Sequence, residues 1–188
     1  MVENERYSIK DFKVKVMNIT RHCDLCNHQK IDLINGSTCG LTDKKPEFTK
    51  TCSKIDFHDK LESKLKEVNI KYQKIKNEKS VTYIYFVVFL GIALGVLVGG
   101  YLLGTYAYDK GVVSTTPFII MAIGLIPLGL AFGALNNHRN QFKIAEMKKK
   151  KVDEVLPLYH IDYTIQVQFG KKYHGVQEVT TDLKMKGI

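Results

Sequence analysis

The chain has 188 residues, a formal net charge of +9 and a pI near 9.3. A balance this basic points to nucleic acid or to an anionic membrane face. Arginine occurs only at Arg6, Arg21 and Arg139, so the arginine forks and interleaved aromatics of base recognition are missing, and lysine beside apolar segments selects lipid over nucleic acid.

The first fifteen residues, MVENERYSIKDFKVK, contain no apolar run of the secretory kind. The N-terminal segment is therefore expected to stay in the cytoplasm with its thiols reduced. Phe12, Val14 and Val16 alternate with polar neighbours, the period of a strand.

All four cysteines follow as Cys23-x2-Cys26-x12-Cys39-x12-Cys52. Four thiols this close, with none elsewhere, predict shared metal ligation. The Cys23–Cys26 pair can offer two thiolates from one tight turn. Gly36 and Gly40 bracket the third cysteine and allow the backbone to bend there, and Pro46 stiffens the return to Cys52. Zinc takes four thiolates and adds folding free energy directly, which suits a segment with few core residues. The spacing has one C-x2-C knuckle and two lone cysteines, where a zinc ribbon has two knuckles. Iron, as an iron centre or an iron–sulfur cluster, is the alternative, since the ligand order is similar to that of high-potential iron–sulfur proteins. Disulfides or unliganded thiols are the third outcome. A thioredoxin-like role for Cys23 and Cys26 is the weaker reading, because the remaining sequence leaves no room for that fold. His22, His28 and His58 are read as solvated or supporting residues rather than as ligands.

The segment resembles a short N-terminal module of uncharacterised bacterial membrane proteins, C-x2-C, then G-x2-CGLT, P-x-F and a last Cys. The matching residues are Cys23, Cys26, Asn27, Lys30, Asp32, Gly36, Cys39, Gly40, Leu41, Thr42, Pro46, Phe48 and Cys52. His28 and Gln29 depart from the Arg-Lys of that pattern. The resemblance implies a bacterial cytoplasmic (inner) membrane protein and carries no activity with it.

Residues 54–80 form a charged helix with one apolar stripe, at Phe57, Leu61, Leu65, Val68, Tyr72 and Ile75. Residues 81–104 and 117–137 are uncharged and apolar, each long enough to cross the hydrocarbon of a bilayer. Lysine is dense on both outer flanks, while the loop 105–116 holds only Lys110 beside Asp109, which predicts cytoplasmic termini. Gly91, Gly95 and Gly99, with Gly129 and Gly133, are spaced by four. They predict a helix-packing seam, read first as contact between the two spans and second as contact with another copy. Neither span carries Asp, Glu, Lys, Arg or His, which argues against an ion or proton pathway. Residues 138–156 are expected as a separate basic helix, with Lys148, Lys149, Lys150 and Lys151 as contacts for anionic lipid. Pro157 ends it. Residues 157–188 alternate as a β-hairpin with its turn at 170–175, expected to pair with the strand at 12–17 or with a partner. His160 and His174 have no catalytic company at readable spacing.

These readings predict an α-helical membrane hairpin of two transmembrane helices with a small α+β cytoplasmic head containing a four-cysteine metal module in residues 1–53. The expected role is that of a zinc-binding structural or adaptor protein, not an enzyme, that meets membrane lipid and a protein partner or a second copy. The alternative is an iron-containing electron carrier or redox sensor.

Overall fold

A computed structural model of the chain describes residues 19–33, 35–111, 115–174 and 176–187. The chain divides into two compact units, Met1–Gln73 with Ala145–Ile188, and Lys74–Ile144.

The first unit is the α+β head. Residues 19–23 are helical, and a turn leads to strands β1 (Gln29–Asp32) and β2 (Gly36–Cys39), which pair antiparallel with Gln29 opposite Cys39. Gly36 sits at φ +76°, a conformation that glycine adopts without strain. Helix α1 (Asp59–Asn77) follows. Its stripe buries as the spacing requires, with Leu61 and Leu65 at 0% exposure and Val68 at 4%. These side chains join Leu25, Val152, Val155, Leu156 and Ile161 in one cluster, with Phe57, Tyr159, Tyr163, Leu183 and Met185 packed around it. Each large aliphatic chain buried there contributes about 1.5–3 kcal/mol.

A 3₁₀ turn at Leu156–Tyr159 carries Pro157 in its first positions and closes on His160 in the left-handed region. Strands β3 (Asp162–Tyr173) and β4 (Val176–Lys186) form an antiparallel ribbon. The strands run further than the turn expected at 170–175, because an irregularity between Phe169 and Lys172 absorbs the glycine inside the ladder. A lone ribbon is marginal in water; this one rests its base on the helix cluster through Tyr163, Leu183 and Met185. The strand expected at residues 12–17 lies outside the described residues.

The second unit contains helix α2 (Lys79–Asp109) and most of helix α3 (Thr116–Val155). Both are long and apolar enough to cross a membrane, with mean hydropathy of 2.5 and 2.4 in their most apolar windows. α2 continues past Gly104 because Thr105 to Tyr108 contain no breaker, so less of the chain is left as a loop than expected. The segments 117–137 and 138–156 are one helix: no Gly or Pro falls between Asn137 and Val155, and Pro127 lies inside the helix without ending it.

The two helices touch through Gly100, Gly104 and Gly124. A Cβ on Gly100 would come 2.8 Å from Met121 Cγ, one on Gly124 3.1 Å from Val96 Cγ1, and one on Gly104 3.4 Å from Pro117 Cβ. Phe86 and Phe132 add an edge-to-face contact at 5.4 Å. Gly91, Gly95, Gly99, Gly129 and Gly133 have open space at the Cβ position. The seam between the two spans is therefore not built on those five. Spacing by four identifies a face without saying which neighbour it meets.

Candidate metal centre

Cys23 ends the helical stretch, and the backbone turns tightly behind it. The Asp24 amide donates to Thr20 O at 3.0 Å, and the Cys26 amide to Cys23 O at 3.0 Å. Leu25, 1% exposed, inserts into the head cluster, so an apolar anchor fixes the turn that presents both thiols. Asn27 ties the turn to α1. Its amide donates to Asp56 O at 2.9 Å, its Nδ2 to Asp56 Oδ2 at 3.2 Å, and its Oδ1 accepts from the Lys60 amide at 3.1 Å. Lys60 Nζ returns the contact, donating to Cys26 O at 3.0 Å and Gln29 Oε1 at 2.6 Å.

Cys39 closes β2 and opens a compact loop. Its amide donates to Lys44 O at 2.9 Å, and its carbonyl accepts from the amides of Thr42 and Asp43 at 3.2 and 2.7 Å. The Gly40 amide donates to His28 O at 2.6 Å. A Cβ at Gly40 would lie 2.9 Å from that same oxygen, so the close approach requires glycine. Cys52 is held from the far end of the chain: its amide donates to Tyr159 Oη at 2.9 Å. The same hydroxyl lies 2.8 Å from His22 Nδ1, and His22 packs edge-on against Phe48 and Tyr159.

All four cysteines are free thiols and line one cavity of about 320 Å³. Burial pushes the Cys23 thiol up to about 11, with further upward pressure from charge on Cys26, Cys52, Cys39 and Asp24. Charge on the other thiols is thus felt at Cys23, and a soft cation among them would relieve that repulsion. The donors fit zinc in kind and in number. Among the described residues, no three His, Cys, Asp or Glu side chains are grouped closely enough to hold an ion as they stand.

His22 is not solvated; at 6% exposure it is buried beside the thiols, and burial, then Arg21, lowers its pKa. His28 Nε2 lies 4.0 Å from Asp56 Oδ2, and the His58 amide donates to Asp56 Oδ1 at 3.2 Å. His160 and His174 occupy left-handed positions in turns. The lysine run falls in the head unit. Lys149 is not free for lipid: its Nζ donates to Asp153 Oδ2 at 2.8 Å and Tyr163 Oη at 2.9 Å. Lys150 lies 3.9 Å from Glu154 Oε1, while Lys148 and Lys151 are exposed.

Sequence reasoning missed the β1–β2 hairpin, whose Asn35-Gly36 dipeptide is a strong turn signal. It also missed Tyr159 and Lys60, which no local pattern connects to the cysteines. Comparison of the chain with protein-family models, with curated proteins and with solved structures gave no match.

Proposed function

We propose that this chain is a membrane-anchored metal-binding protein of structural or adaptor type. In this reading α2 and α3 cross a bacterial cytoplasmic membrane, lysine keeps both flanks on the cytoplasmic side, and the head holds zinc between Cys23, Cys26, Cys39 and Cys52. The single observation that supports it most is the convergence of four free thiols, two of them buried, on one cavity. A complete thiolate set leaves no open coordination position, which is the pattern of a structural site rather than a catalytic one. The head would then offer a metal-stabilised surface to a protein partner.

Elemental analysis of the detergent-purified protein, with an absorbance spectrum of the same sample, tests this reading. About one zinc per chain without a visible band is expected. Iron with a visible band would replace the adaptor reading by an electron carrier or redox sensor. Protein with neither metal would remove the metal reading. Cys39→Ser should lose the metal and unfold the head, because metal-binding free energy in such a site is folding free energy.

A further inference from the structure

A crevice opens between the two apolar helices where α2 ends and α3 begins. Gly100 and Gly104 withhold side chains from α2 there, so Met121 and Pro117 of α3 come close, and a cavity of about 530 Å³ lies beside that contact. Tyr101 and Tyr108 from α2 and Phe118 from α3 form its outer walls, and all three are exposed. Thr105 commits its hydroxyl to Leu102 O at 2.9 Å. A concave, mostly apolar site of this size with few polar groups is the shape of a ligand site.

Among the described residues one charged side chain lines the cavity, Asp109. It is the last residue of α2. The final carbonyl groups of a helix carry partial negative charge, so a carboxylate is disfavoured there until a cation joins it. No basic residue lies in that last turn, and among the described residues Asp109 makes no ion pair. Lys110, next in sequence, holds its Nζ 5.0 Å from the centre of the Tyr106 ring. The crevice thus combines an apolar trough with an exposed negative charge that α2 itself does not balance.

We propose that this crevice binds a phospholipid with an ammonium headgroup. An acyl chain lies in the trough between Tyr101, Tyr108 and Phe118, the ammonium pairs with Asp109, and Lys110 offers a cation to the phosphate. The inference rests on the reading of α2 and α3 as spans, which sets the crevice at one membrane face, where tyrosine rings settle. Charge selects this occupant. An anionic lipid or a fatty acid would bring negative charge to Asp109. A second copy inserted the same way and related by two-fold symmetry would bring its own Asp109 to the same end of the interface, like charge beside like.

The chain contains no tryptophan, so Phe118→Trp supplies a single reporter in the crevice wall. The full-length variant is reconstituted into vesicles of equal phosphatidylethanolamine and phosphatidylglycerol, with bromine on the acyl chains of one lipid or of the other. Quenching should favour brominated phosphatidylethanolamine by roughly two- to five-fold, the size of one exposed ion pair. The preference should shrink as salt is raised and vanish when Asp109→Asn is added. That substitution removes a charge the helix end disfavours, so the variant should still insert and fold. Equal quenching by the two lipids would mean ordinary boundary lipid and overturn the proposal, as would a preference that Asp109→Asn leaves in place. Emission shielded from both lipids would also overturn it and assign the crevice to a second copy. A separate Leu94→Trp variant, inside α2, reports the spans: if neither brominated lipid quenches it, the membrane reading itself has failed.

Discussion

Tyr159 and Cys52 are 107 positions apart in sequence, and the hydroxyl of one accepts the amide hydrogen of the other at 2.9 Å. The same hydroxyl reaches His22, so one phenol joins both ends of the cysteine segment to the turn after α3. Tyr159→Phe removes that link and keeps the ring packing against Phe57. It should destabilise the head by about 1–3 kcal/mol, since it strands a part-buried donor. Chemical denaturation followed by a head-specific probe measures this; unchanged stability would show that water replaces the phenol without loss.

Gly36 and Gly40 should respond differently to alanine. Gly36→Ala meets open space and pays only for its positive φ, about 1 kcal/mol. Gly40→Ala places a Cβ against the backbone oxygen of His28, which cannot move without disturbing the Gly40–His28 hydrogen bond. The second variant should lose more stability, and more affinity in a competitive zinc titration. Equal losses would argue against the close approach.

The two sets of glycines in the apolar helices are separable by substitution. Gly100→Leu should break the α2–α3 contact, because even a Cβ there overlaps Met121. Gly91→Leu should leave that contact intact, as none of the described residues lies within 4 Å of a Cβ built there. Thermal unfolding in detergent reads the difference. A comparable loss at Gly91 would assign its face to a contact with another copy.

Lys149 gives the head a pH dependence at the alkaline end. Burial works against its charge, but hydrogen bonds with Asp153 and Tyr163 outweigh that and raise its pKa. A folded value above the unfolded one stabilises fully below the ordinary lysine value of 10.5, and the contribution is lost as pH rises through the folded value. Lys149→Met should therefore destabilise the head at neutral pH, and the gap to the parent protein should narrow above about pH 10.5. A gap that stays constant with pH would mean that the methylene stem, not the ammonium, is what matters.

The helical parts of this protein are legible in sequence because burial imposes a period. The stripe of Leu61, Leu65 and Val68 is read by spacing and is the stripe that packs. The alternation of Tyr163, Ile165, Val167 and Phe169 likewise marks one face of β3. The end of α2, the unbroken length of α3 and the packing glycines were not legible. The first two depend on what does not stop a helix, and the last on which neighbour a face meets. At the candidate site, spacing picked out the four cysteines that line one cavity. Tyr159, Asn27 and Lys60 could not be given their places, because their partners are fixed only once distant segments are folded together.

The head cluster draws Leu25, Leu61, Leu65 and Val68 from before the two apolar helices and Val152, Val155, Leu156 and Ile161 from after them. This division sets an order of events during synthesis. All four cysteines leave the ribosome early, yet the side chains that complete the core around them arrive only after both long apolar helices have been made. A chain halted at Ile144 would own every candidate ligand and half a core. Until translation reaches Ile161, the thiols must wait in a segment that cannot yet close, open to whatever metal or oxidant the cell supplies.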